Sequence, residues 1–166
     1  MIMNIKEKVD MIYNWLINGD MVLPIGEIAG TYPSRIYKSV SGNFVYRHYG
    51  ESAVKGTKKE LQWLLENIFD DVKDYYIITT NGEMESTSNE FVESMEKEYL
   101  FTFWERNIWR NTETPVFNTR MKFREMLIKY QDIAREYYDN HIEDNIVYWA
   151  VSCGEHPVLR HWTFAV

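Results

Sequence analysis

Twice between residues 35 and 87 the chain sets two β-rich runs on either side of a glycine turn, and helical spacing fills the intervals around them. Arg35 to Val40 and Phe44 to Tyr49 flank Ser41-Gly42-Asn43, which reads as a β-hairpin with a three-residue turn. Tyr75 to Thr80 is joined by Asn81-Gly82, the strongest short hairpin signal in the chain, to a polar edge strand from Glu83 to Thr87. Ile5, Val9, Ile12, Tyr13 and Leu16 recur at helical spacing, so residues 4 to 18 read as an amphipathic helix stopped by Asn18-Gly19. Residues 19 to 34 break any period and read as a loop, with a short strand at Met21 to Leu23.

Thr57 and Glu60 form a capping box that opens a second helix, Lys58 to Phe69. Thr87 and Glu90 form another, ahead of Phe91, Met95, Tyr99, Phe103 and Trp104, which keep roughly helical spacing to about Arg110. The aromatic run Tyr99 to Trp104 also suits a strand. Pro115 ends that element, and a fourth helix is expected from about Thr119 to Asp139. Asn145 to Cys153, a turn at Gly154-Glu155-His156-Pro157, and Val158 to Val166 close the chain as a hairpin. The expected class is α+β: one domain over residues 1–166, with antiparallel hairpins forming a sheet and about four helices packed on it.

With 45% hydrophobic side chains and a single cysteine, Cys153, such a chain must hold its fold with an apolar core and no intrachain disulfide. The longest apolar run, Ile146 to Val151, is six residues, too short for a membrane helix. Lys6, Glu7, Lys8 and Asp10 interrupt the place a signal peptide would need for its apolar stretch, so a cytoplasmic protein is expected. Ile, Asn, Lys and Tyr account for 49 residues, a bias that AT-rich coding produces, as in low-GC bacteria and their phages.

The net charge of −7 argues against direct binding to nucleic acid or anionic membranes. Its distribution is uneven. Residues 31–59 sum to +5, whereas residues 60–98 sum to −9. No phosphate loop, G-x-G-x-x-G, H-E-x-x-H, EF-hand loop or G-x-S-x-G elbow occurs.

Three constellations carry chemistry. Cys153, His156 and His161 supply one thiolate and two imidazoles of the kind zinc prefers, or a Cys/His pair for a hydrolase, with His141 or Glu155 as the nearest further ligand. Lacking a fourth ligand on a common face, they read first as a buried strand cysteine beside turn or surface histidines, and no cofactor is expected. The first hairpin, paired Val40 to Phe44, would gather Arg35, Tyr37, Arg47 and Tyr49 on one face, with Arg47 across from Tyr37 and Arg35 across from Tyr49. That surface could stack a base and pair a phosphate, or simply face solvent. Glu83, Glu85, Glu90, Glu93 and Glu96 could imitate a phosphate array in the basic channel of another protein, or form a solvated face.

Aromatics at 16% include six Trp and twelve Tyr, more than a core this size requires, and some of Trp104, Trp109, Tyr137, Tyr138 and Trp162 are expected at the surface. These features favour a small non-enzymatic interaction protein, of phage or mobile-element type, that binds and blocks a host protein such as a nucleic-acid-handling defence enzyme. The alternatives are a nucleotide-binding protein using the basic-aromatic hairpin, and a Cys/His-centred hydrolase or metal enzyme.

Overall fold

The computed structural model describes residues 2–31, 33–107, 109–140 and 148–165. The class is α+β, with four helices and three antiparallel sheets among the described residues. They fall into two compact units, residues up to 27 with 33–92, and residues 28–31 with those from 93 onward.

The first unit opens with α1 (Ile5–Ile17), capped by Asn4, whose side chain accepts the Glu7 N–H at 2.9 Å. Its end is a Schellman turn: Asp20 N–H bonds the Trp15 carbonyl and Gly19 N–H the Leu16 carbonyl, with Gly19 at φ +89° where a side chain would be strained. β1 (Leu23–Pro24), β5 (Tyr75–Ile78) and β6 (Met84–Ser86) make one sheet in the order β1-β5-β6, which leaves polar β6 at an edge. β2 (Arg35–Lys38), β3 (Phe44–Arg47) and β4 (Glu51–Val54) make a second.

Between these sheets in sequence lies α2 (Lys58–Asn67), started by Thr57, whose hydroxyl accepts the Glu60 N–H at 3.2 Å. Thr57→Ala should therefore lower stability by about 1 kcal/mol, read by urea unfolding. Helical spacing turns Val9, Ile12 and Leu16 of α1 and Leu61, Leu64 and Leu65 of α2 into one apolar core with Ile36, Phe44 and Tyr46 of the second sheet. Trp63, which the helical pattern could have placed inside, is exposed.

α3 (Asn89–Met95) is shorter than the spacing predicts. Its first turn is capped by Ser88, which accepts the Phe91 N–H, and not by Thr87, whose hydroxyl instead donates to Asp74 and accepts the Tyr75 N–H. From Glu98 the chain is a strand, β7 (Glu98–Asn107), so the helical spacing to Arg110 gives way and the aromatic run Tyr99 to Trp104 takes the strand that it also suits. The spacing of four between Phe91, Met95, Tyr99 and Phe103 is the reason: four is an even number, so it fits one face of a strand as well as one face of a helix. Tyr99, Phe101 and Phe103 are buried in strict alternation.

β7 pairs with β8 (Thr112–Lys122), an edge strand that carries Pro115 beside a register shift between Phe103 and Trp104, the kind of place where a strand tolerates proline. Residues 119–122 accordingly belong to this strand, and α4 (Phe123–Asn140) begins four residues later than the periodicity suggests. β9 (Tyr148–Ser152) and β10 (His161–Phe164) complete the order β10-β9-β7-β8. The expected start of that last hairpin, residues 145–147, and His141 lie outside the described residues. Of the aromatics of which some are expected at the surface, Trp109 is exposed, Trp104 and Tyr137 are half-buried and Trp162 is buried. No helix among the described residues is long and apolar enough to cross a membrane.

Candidate ligand site at the end of the second sheet

The β2–β3 pairing keeps the expected faces and shifts the expected partners. Lys38, not Val40, stands opposite Phe44, so the connection runs from Ser39 to Asn43, closed by a 2.8 Å bond from Ser39 N–H to the Asn43 carbonyl. A shift of two residues leaves every side chain on its original side. Ile36, Phe44 and Tyr46 face the core, while Arg35, Tyr37, Val45 and Arg47 lie half-buried on the other face.

The cross-strand neighbours are therefore corrected: Arg47 stands opposite Arg35, and Val45 opposite Tyr37. Arg35 folds along its own strand, its guanidinium 5.9 Å from the Tyr37 ring centre. Tyr49 has left the strand. It forms the tip of a tight β3–β4 turn in which His48 N–H bonds the Gly50 carbonyl at 3.0 Å, and it sits at φ 64° with 95% of its surface exposed. For a tyrosine that backbone conformation is strained, and such strain gathers at sites where a side chain must be presented.

A cavity of about 400 Å³ opens beside this turn, lined by Glu27, Ser34, Arg47, Tyr49, Gly50 and Glu51. Of the four residues proposed to hold a ligand, the structure brings Arg47 and Tyr49 to this wall and leaves Arg35 and Tyr37 off it. Glu27, Ser34 and Glu51 carried no motif. β4 itself was invisible because Glu-Ser-Ala-Val is short and exposed, with no alternation to mark it.

Next to the cavity stands a hydrogen-bonded chain. The Ser34 hydroxyl lies 2.9 Å from His48 Nδ1, and His48 Nε2 lies 2.8 Å from Asp71 Oδ1. The imidazole is almost fully covered, stacked on Phe69 at 4.5 Å with an interplanar angle of 19°, and the Tyr49 ring tilts against it at 4.6 Å. Its hydrogen bond to His48 is the main cause holding the Asp71 carboxyl below its usual range, so Asp71 accepts. In the neutral imidazole Nε2 then carries the proton and Nδ1 is the acceptor for Ser34. Burial pushes the Glu27 carboxyl up, while the Ser34 N–H and hydroxyl and the nearby His48 draw it back. The Ser34 hydroxyl proton thus has two acceptors, His48 and Glu27.

The chain matches no protein family, no curated protein and no solved structure. Its chemistry has to be read from the arrangement itself.

The Cys153, His156 and His161 group does not converge. Cys153 is buried and burial pushes its thiol up, the opposite of what a nucleophile needs. His156, expected in a turn or at the surface, is in the turn but completely buried: its Nδ1 accepts the Val158 and Leu159 N–H groups at 3.2 and 3.0 Å, and its Nε2 lies 3.0 Å from the Ser94 hydroxyl. His161 is exposed and reaches Glu113 at 3.5 Å. Among the described residues no three His, Cys, Asp or Glu side chains are grouped as metal ligands.

Glu83, Glu85, Glu90, Glu93 and Glu96 are all exposed but divided. Glu83, Glu85 and Glu90 belong to the first unit, Glu93 and Glu96 to the second. Glu96 is already engaged by Arg124 at 2.7 Å and Lys122 at 3.7 Å.

Proposed function

We propose that this protein binds a small zwitterion of amino-acid size in the cavity between Glu27 and Tyr49. The observation that carries this reading is the mixed charge of the lining: Arg47, Glu27 and Glu51 line the cavity together with an exposed, strained Tyr49. A guanidinium pairs with a carboxylate through two parallel bonds, and the two carboxylates accept from an ammonium group. Two acidic side chains in the wall would repel a phosphate, which favours an amino acid over the nucleotide expected from Arg47 and Tyr49 alone.

Calorimetry with free amino acids, dipeptides and mononucleotides tests the assignment. Amino acids should bind, and Arg47→Met and Glu51→Gln should each weaken that binding about 10- to 150-fold, the value of one charge-assisted contact. Tighter binding of mononucleotides, or equal affinity in both variants, would overturn it.

A second reading, docking on a basic channel of a partner protein, is supported by the exposure of Glu83, Glu85 and Glu90 around the edge strand and the start of α3. Such carboxylates would act mainly on the rate of association.

A further inference from the structure

We propose that Ser34 is a nucleophile that cleaves carboxylic esters of amino acids in this cavity. The inference rests on the zwitterion site above and names what that site acts on. Three observations meet at one side chain. Ser34 lines the cavity, its hydroxyl is 2.9 Å from His48 Nδ1, and the opposite nitrogen of the same ring is 2.8 Å from Asp71. That is a hydroxyl, a base and an orienting carboxylate in sequence, the arrangement recognised by geometry and roles and not by position in the chain. The ring is turned so that Nδ1, not Nε2, meets the hydroxyl, which changes nothing in the proton arithmetic: one nitrogen accepts while the other donates to a carboxylate.

The imidazole is also held against rotation. Phe69 stacks on it and Asp71 holds its far edge, so the acceptor nitrogen stays aimed at Ser34 without a search over ring orientations.

The step balances. Ser34 Oγ forms a bond to the ester carbonyl carbon as its proton passes to His48 Nδ1, and the resulting oxyanion faces a wall that carries Arg47. The carbon–oxygen bond to the alcohol then breaks, and the alcohol leaves with the proton from His48. Water attacks the acyl-serine and gives a proton to His48, the bond between the acyl carbon and Ser34 Oγ breaks, His48 returns the proton to Oγ, and the free amino acid departs. The substrate's ammonium is held by the Glu51 and Glu27 side of the wall throughout, and the product is the zwitterion the site is built to bind.

The full-length protein should be treated with a fluorophosphonate, which modifies activated serines, and digested for mass spectrometry; Ser34 should carry the adduct. Benzyl alcohol release from alanine benzyl ester should fall at least about 100-fold in Ser34→Ala. Asp71→Asn should lower kcat about tenfold or more with KM and the melting temperature unchanged, a split that a purely structural aspartate would not produce. An unlabelled Ser34, or hydrolysis by Ser34→Ala at the wild-type rate, overturns the nucleophile. Alanine binding measured in Ser34→Ala separates the two claims: if alanine still binds while Ser34 is unlabelled, the site is a receptor only, and if alanine does not bind the zwitterion site fails independently of the labelling result.

Discussion

Lowering the pH from 7 to 4 should remove about 3 kcal/mol of stability through His156 alone. Burial, assisted by the nearby Arg160 charge, pushes this imidazole down from 6.5 to about 4. The neutral ring is what the fold holds, because Nδ1 accepts two backbone N–H groups and Tyr99 and Phe123 pack against the ring at 5.4 and 4.5 Å. The unfolded chain takes up a proton at 6.5, while the folded chain resists until about 4. Stability from this residue is therefore complete above 6.5 and declines as the pH falls toward 4, below which both states are protonated and the loss stops growing. Each tenfold change in proton affinity is worth about 1.4 kcal/mol, which gives the magnitude.

Carboxylates titrate in the same window, so the comparison needs a variant. His156→Asn keeps an oxygen that can accept the Val158 and Leu159 N–H groups and carries no titrating group. It should be less stable than the wild type at pH 7, having lost the ring. Its urea midpoint should then fall less steeply with acid, the two curves converging by about 3 kcal/mol. Parallel curves would show that His156 is not the residue the acid attacks.

How much of this was legible in the sequence depends on how local the determining contact is. α1 and α2 were placed to within two residues because Asn4 and Thr57 act on N–H groups three positions away and the apolar spacing has no competing period. The faces of the first hairpin also survive, since a slip of two residues conserves the alternation although it replaces Tyr37 with Arg35 as the neighbour of Arg47. The spacing of four leaves β7 open to a helix as well as to the strand that its aromatic run suits, and α4 starts late because Thr119 to Lys122 continue the ladder from Phe101 back to Glu98. The candidate site was half visible. Arg47 ends a recognisable strand and Tyr49 follows two residues later, but His48 meets Ser34 across 14 residues and Asp71 across 23, both in segments with no period at all. No rule of spacing joins residues that meet only after a sheet and a helix have packed. Cys153, His156 and His161 lie close in sequence without converging, and burial assigns His156 to holding a turn.

The largest loss in the first unit should come from Phe69. Its ring has no exposed surface, sits 6.2 Å from both the Tyr46 and Tyr75 rings in edge-to-face contact, and forms the platform under His48. Its N–H bonds the Leu64 carbonyl and its own carbonyl accepts from Val72, so it also fixes the turn that carries Asp71. Phe69→Ala removes the platform and leaves a cavity among three aromatic rings that cannot collapse without moving two strands, which should cost about 3–5 kcal/mol by urea unfolding. Phe69→Leu refills most of that volume and should cost about 1–2 kcal/mol, so the chain stays folded. It cannot restore the flat surface. With the stack gone, His48 is left with its two hydrogen bonds and one tilted tyrosine, and the ring should exchange between tautomers and orientations. Nitrogen-15 NMR of the imidazole reads this directly: the wild type should show one fixed tautomer with the proton on Nε2, and Phe69→Leu an averaged signal. If the leucine variant kept the fixed tautomer, the hydrogen bonds with Ser34 and Asp71 alone would be holding His48, and Phe69 would serve only the core.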